Sequence, residues 1–144
     1  MITKNSGKLL IKSLESVKGL VGEIVIVDDN SSDKTLTIAK KFNARILKHH
    51  DDNLGSQRAY GLAKCKGEWI LMLDADEIVS PKLKDEIASS TTKVGTRNDI
   101  AGYYVPYQNH FLGRQIYHGG EDYKILRLFK KNSAKISGNL IHEH

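Results

Sequence analysis

Apolar positions change period in a regular way along this chain. Leu9, Leu10, Leu14 and Val17 recur at helical spacing, which predicts an amphipathic helix over residues 7–18. The β-branched run EIVIV (23–27) follows and reads as a strand covered on both faces. In NSSDKTLTIAKKF, Ser31 or Ser32 can cap a helix that packs Thr35, Ile38, Ala39 and Phe42 on the sheet. ARILKH is a second strand of this run, residues 54–65 a helix with Gly67 near its end, and EWILMLD a third strand. Pro81 suits the first turn of a further helix, with Leu83 and Ile87 on one face. GYYVPYQNHF and YKILRLF read as later strands, compatible with antiparallel pairing. Strand and helix thus alternate through residue 90, which predicts an α/β fold with a mostly parallel sheet in a single domain.

Ligands of such sheets bind beyond the carboxyl ends of the strands. Two predicted strands end there in acids, at Asp28-Asp29 and at Asp74-Ala75-Asp76, so both clusters are expected on one rim. Gathered carboxylates repel one another unless a positive charge lies between them. Mg²⁺ or Mn²⁺ supplies it and favours oxygen ligands, with Mg²⁺ typically taking one or two carboxylates plus ligand phosphates. In an extended D-x-D, Asp74 and Asp76 point to the same side, so one can hold metal while the other reaches a neighbouring group of the ligand. The plain alternative is that these acids cap the next helix or face water. Arg58, early in its helix, is the cation placed to meet phosphate, the alternative being a solvated surface arginine. KHHDD (48–52) reads as a solvated loop despite its metal-like composition, and Trp69 as core rather than a sugar-stacking platform.

Composition narrows the class. A chain of 144 residues, 40% apolar and 27% charged, is long enough for one real core. No apolar run approaches the ~18–20 residues that span a membrane, and Lys4, Lys8, Lys12 and Lys18 interrupt any signal-peptide pattern. Cys65 is the sole cysteine, so no internal disulfide forms, which suits a reducing cytoplasm. The formal charge of +5 is spread over scattered lysines, apart from Lys124, Arg127, Lys130, Lys131 and Lys135 near the end. No nucleic-acid motif accompanies it.

Taken in order, EIVIVDDNSSDKTLTIAKKF and GSQRAYGLAKCKGEWILMLDADEIVSPKL resemble family-2 glycosyltransferases of the GT-A fold, a three-layer α/β/α arrangement. TKN near the start, GYYVPYQNHFLGRQIYHGG and RLF are similar to the bacterial lipopolysaccharide-core and polysaccharide glucosyltransferases within that family. The resemblance covers almost the whole chain. It implies metal-dependent, inverting transfer of a hexose from a nucleotide-sugar, with UDP the expected nucleotide, to a glycan or glycolipid acceptor of the cell envelope. It implies that Asp29 bonds the donor base with Asp28 beside it, and that Thr3 lines the nucleotide pocket. Arg58 would contact the nucleotide or its diphosphate, Asp74 would lie near the ribose, and Asp76 would bind Mn²⁺ or Mg²⁺. The base would come from the Glu121-Asp122 pair of HGGEDYK, with Asp122 preferred; a solvated turn is the alternative there. His142 in LIHEH is either a further metal ligand or a surface histidine. A cytoplasmic location is implied, with peripheral contact at the inner face of the membrane left open.

Members of that family carry an apolar strand before TKN and continue past the His-Glu position, so the expectation is a domain lacking most of its first strand and its C-terminal extension. A non-catalytic nucleotide-sugar binding domain is the alternative reading. A signalling receiver domain shares IVIVDDN, but a helix precedes that strand here, no Asp-x-x-Met-Pro follows Asp74, and no Lys-Pro closes a fifth strand. A D-x-D-x-T phosphatase would need Thr or Val where Ile78 stands.

Overall fold

The computed structural model describes residues 1–93, 100–111, 114–115 and 124–133. Strand β1 (Ile2–Thr3) leads into helix α1 (Gly7–Val17), then β2 (Val25–Asp28), α2 (Thr35–Lys41), β3 (Arg45–Lys48) and α3 (Leu54–Lys64). Strand β4 (Trp69–Leu71) and helix α4 (Pro81–Lys93) precede β5 (Gly102–Pro106), β6 (His110–Phe111), β7 (Arg114–Gln115) and β8 (Lys124–Lys130).

The expected α/β alternation is present, but the sheet divides. Strands pair in the order β1-β2-β3, all parallel, with Ile2 opposite Val27 and Ile26 opposite Ile46. Strand β4, expected to continue the parallel set, instead lies in an antiparallel sheet of order β4-β8-β5. Its partner is the distant strand β8, with Trp69 opposite Lys130. Hairpin β6-β7 stands apart. Between β5 and β8 the register slips: Tyr103 faces Leu128 and Tyr104 faces Leu126, so Arg127 is the extra residue of a β-bulge.

The apolar periods place the core. Leu10 and Leu14 of α1 pack with Ile26, Ala39 and Ala75, and Val17 packs with Leu73 and Val79. Full burial of a leucine or isoleucine contributes about 1.5–3 kcal/mol each, so this shared face fixes α1 between the parallel strands and the segment after β4. Leu9, expected on the same face, is 55% exposed, because its position points a helical step away from Leu10 and Leu14. Pro81 opens α4 as expected, with Ile87 buried.

Helix α2 begins at Thr35, later than a cap at Ser31 or Ser32 would allow. Those serines are taken by a neighbouring loop: Ser31 Oγ accepts from the Asn5 amide at 2.9 Å, and the Ser32 amide donates to Asn5 Oδ1 at 2.8 Å. Lys34 is the N-cap residue and makes no side-chain cap bond, and Asp33 just before it satisfies the first helical amide. Asp33 accepts from the Thr35 amide at 2.9 Å and from the Gly7 amide at 3.0 Å, so one carboxylate satisfies the first turns of α1 and α2 together. Asn5 and Asn30 turn these loops with φ of 49° and 53°, a region asparagine tolerates better than most residues.

Gly61 brings α3 against β2. A β-carbon there would sit 2.7 Å from Val27 Cγ2. Alanine gains about 0.8–1 kcal/mol of helix propensity over glycine, but Val27 is buried and its branched side chain has little freedom to yield. Overpacking costs of about 1–3 kcal/mol are therefore expected to win in Gly61→Ala. Thermal unfolding should show a lower melting temperature, by roughly 2–4 °C per kcal/mol of net loss; a raised one would show that α3 shifts freely away from the sheet.

Candidate donor site at the strand ends

Two polar clusters stand at the ends of β2 and β4. Beyond β2, Asp28 is fully buried and its carboxylate is consumed internally. It accepts from Thr3 Oγ1 at 3.1 Å, from Ser31 Oγ at 2.5 Å and from the Ser31 amide at 3.0 Å. Parallel pairing sets this up, since Thr3 and Asp28 are register partners. Asp29 is turned the other way, with its side chain 9% exposed. Lys4 Nζ donates to it at 2.8 Å, and His50 Nδ1 lies 2.6 Å from its other oxygen. The Lys4 bond first, then His50, holds the Asp29 carboxyl below the usual carboxylate range.

KHHDD is a loop with Lys48, His50 and Asp52 exposed, as expected, but it is also anchored. The segment is bound at several points. His50 meets Asp29, His49 stacks on Tyr60 with centroids 4.1 Å apart, and Asp51 accepts from Ser56 Oγ at 2.6 Å and from the Asn53 amide at 2.8 Å. Asn53 in turn caps α3 through the Ser56 amide. These bonds orient the start of α3, four residues ahead of Arg58.

Beyond β4 the chain is not extended, which corrects the D-x-D geometry. Strand β4 ends at Leu71, and residues 74–77 close a turn. The Glu77 amide donates to the Asp74 backbone carbonyl at 3.2 Å, closing a β-turn, and Glu77 Oε2 accepts from the Asp74 amide at 2.8 Å, which ties the turn a second time. Asp74 therefore turns inward and Asp76 outward. Arg58 Nη2 donates to both Asp74 oxygens, at 3.2 and 3.1 Å. Arg127 Nη2 reaches Asp74 at 3.5 Å and Glu77 Oε1 at 2.7 Å. The Tyr107 hydroxyl donates to the same Glu77 oxygen, and burial first, then this bond, pushes its pKa up. Burial works against the charge of Arg127, yet Glu77 and Asp74 hold its pKa above the ordinary value. Two guanidinium groups thus balance two carboxylates, and Asp76 is left exposed, with no ion pair among the described residues.

Arg58 is no surface residue, its side chain being 19% exposed. It and Asp74 line a cavity of about 340 Å³ that also touches Ile2 and Val27, the residues just before Thr3 and Asp28. The structure thus joins Thr3 with Asp28 at the end of β2, with Asp29 beside them, and pairs Arg58 with Asp74 at the cavity wall; Thr3, Asp28 and Asp29 do not line that cavity. Glu121, Asp122 and His142 lie outside the described residues. Lys4, His50, Glu77, Tyr107 and Arg127 were not singled out as site residues by sequence. Only Glu77 carried a signal, as the further acid of the D-A-D-E cluster after β4.

Among the described residues no three His, Cys, Asp or Glu side chains converge as a metal cage. Mg²⁺ needs only one or two carboxylates when phosphates complete its shell, and an exposed Asp76 beside a charge-balanced pair fits that mode. No helix among the described residues is long and apolar enough to cross a membrane.

Residues 1–142 match the sequence model described as glycosyl transferase family 2, and the chain belongs to that family. An uncharacterized glycosyltransferase of Rickettsia bellii is 37% identical over 87 residues, covering 60% of this chain and 30% of that protein. A homolog in Mycoplasma pneumoniae named in the same way is 32% identical over 104 residues, covering 63% and 35%. The chain thus spans about a third of the length of the curated relatives it matches. The crystal structure of residues 1–349 of S. aureus TarS superposes with a TM-score of 0.58 at 20% identity, covering 91% of this chain and 45% of that one, which shows the fold.

The lowered pKa of Asp29 has a definite sign. Its contribution to stability is full above the unfolded value near ~3.9 and is lost as pH falls through the lower folded value. Asp29→Asn removes that component, so melting temperature plotted against pH should fall less steeply below pH ~4 than in the wild type. Identical slopes would show that Lys4 and His50 do not hold the carboxylate in solution.

Proposed function

We propose that this chain, as a member of family 2, forms the donor site of an enzyme that moves a hexose from a nucleotide-sugar, with UDP as the nucleotide, to a glycan or glycolipid acceptor of the cell envelope. The observation that carries the reading is the division of labour at the end of β4. Asp74 is held by two guanidinium groups, while Asp76, two residues on, presents an exposed carboxylate unpaired among the described residues. That arrangement suits a diphosphate, which brings negative charge to arginine and shares a cation with Asp76. Support comes also from the fold neighbour, since S. aureus TarS is described in complex with UDP at a TM-score of 0.57.

On this reading Asp29 accepts a hydrogen bond from the donor base, with Lys4 and His50 fixing its orientation. Asp28 and Thr3 hold the pocket wall. Arg58 contacts the nucleotide or its diphosphate, and Asp74 keeps Arg58 in place near the ribose. Asp76, joined by His142 as a further ligand, holds Mn²⁺ or Mg²⁺, which when bound would neutralise the departing diphosphate. Glycosyl transfer also needs the acceptor hydroxyl deprotonated as it attacks the anomeric carbon, and a carboxylate within hydrogen-bond reach performs this. Asp122 takes that role, with Glu121 the neighbouring candidate. Inversion in a single displacement places this base on the face of the sugar opposite the leaving diphosphate. The reaction belongs on the cytoplasmic side of the envelope, with peripheral contact at the membrane surface.

Calorimetric titration with UDP, with and without Mn²⁺, tests the donor site. Binding should strengthen on adding Mn²⁺, and Asp76→Ala should reduce it to the metal-free level while leaving the melting temperature nearly unchanged. Retained Mn²⁺ dependence in Asp76→Ala would move the metal elsewhere. In a sugar-transfer assay Asp122→Asn should keep UDP affinity and lower turnover by about 10²–10⁴-fold. Full turnover in that variant would assign the proton to Glu121 or another group.

A further inference from the structure

Arg127 is a buried charge to which donor binding gives no task. It is 7% exposed, lies on β8 in the antiparallel sheet, and is the extra residue of the β5-β8 bulge. Bulges re-aim side chains, and this one directs a guanidinium out of the sheet's alternation. It reaches the turn that follows β4, where one Nη2 serves both Glu77, at 2.7 Å, and Asp74, at 3.5 Å. The ring of Tyr107 lies 5.4 Å from the guanidinium carbon, and its hydroxyl meets the same Glu77 oxygen. Glu77 then passes the constraint on, because its other oxygen accepts from the Asp74 amide. Buried Arg127 Nε has no partner among the described residues. That desolvation cost is offset mainly through the carboxylate contacts, with the Tyr107 ring adding to them, so holding those two acids is the main work of the guanidinium.

We propose that Arg127 is a positioning residue for metal-dependent donor binding: through Glu77 it locks the Asp74–Glu77 turn in the one shape that keeps Asp74 inward and Asp76 outward. This rests on the reading of Asp76 as the metal-holding carboxylate. It adds that the geometry of this carboxylate is set from the antiparallel sheet rather than from β4 itself. Groups that orient a metal-binding carboxylate at one remove commonly govern affinity as strongly as the ligands.

Arg127→Met and Arg127→Lys test this with three readouts: UDP titration with and without Mn²⁺, hydrogen exchange at backbone amides, and thermal unfolding. Arg127→Met should weaken Mn²⁺-dependent UDP affinity by about tenfold or more while leaving metal-free affinity nearly unchanged. The Asp74 amide should exchange about tenfold faster while the amides of Val27 in β2 and Asp29 just after it, bonded to Met1 and Thr3, keep their protection. Arg127→Lys should fold and lose less, since an ammonium keeps the charge but not the fork; it carries both readouts if the methionine variant does not fold. Mn²⁺-dependent affinity that survives the substitution overturns the proposal. So does exchange at Asp74 that is unchanged, or that accelerates only in step with β2. If the wild-type protein shows no Mn²⁺-dependent UDP affinity, the donor-site reading fails. Exchange at Asp74 then decides by itself whether Arg127 fixes the turn.

Discussion

A carboxylate turned into a protein interior must be neutralised, and the structure is organised around meeting that demand at Asp74. Asp74 keeps 25% of its side chain exposed, so losing either arginine there costs less than the ~3–5 kcal/mol of a fully buried pair. The two groups that answer it come from opposite directions. Arg58 arrives on α3, which packs on the parallel sheet, and Arg127 arrives on β8 of the antiparallel sheet. A third tie comes from α1, whose Ser13 hydroxyl donates to the Asp74 carbonyl at 3.4 Å while Leu73 and Ala75 on either side enter the core. The acidic end of β4 is therefore both the joint between the two sheets and the place where the donor site is proposed.

The first acidic cluster follows another logic. Asp28 gives its hydrogen bonding to Thr3 and Ser31, which leaves Asp29, also buried, to pair with Lys4 and His50. Adjacent acids in sequence thus do different work because β2 alternates its side chains between two sides. The same separation occurs at Asp74 and Asp76, but there a turn produces it.

How much of this was legible depends on where the partner lies. Local order was readable: helices α1 and α3, strands β2 and β3, Pro81 at the start of α4, and the acids at the ends of β2 and β4 all follow from period and turn chemistry. The assignment of β4 to an antiparallel sheet was not, because a short apolar run pairs either way and its partner sits at Lys130. Arg127 was not readable either. In L-R-L it looks like the outward residue of an alternating strand, and only the bulge, a backbone event with no composition signal, turns it inward. Nor did KHHDD announce that His50 would find Asp29, since charge and polarity in a loop say nothing of its tertiary partners. The family resemblance supplied the order of the motifs, and the structure added which atoms hold them.

The pairing of Trp69 with Lys130 also ranks events in time. In the parallel half, β2 and β3 join residues about one helix apart, as Val25 with Arg45. In the antiparallel half, β4 must wait for a strand some three times farther along the chain. Closing longer loops costs more entropy, and contacts of long range are the slow ones. The parallel half is thus expected to assemble first and Arg127 to arrive last. A nascent chain would then pass through an interval in which Asp74 has Arg58 alone. Completion of the site and completion of folding would be the same step.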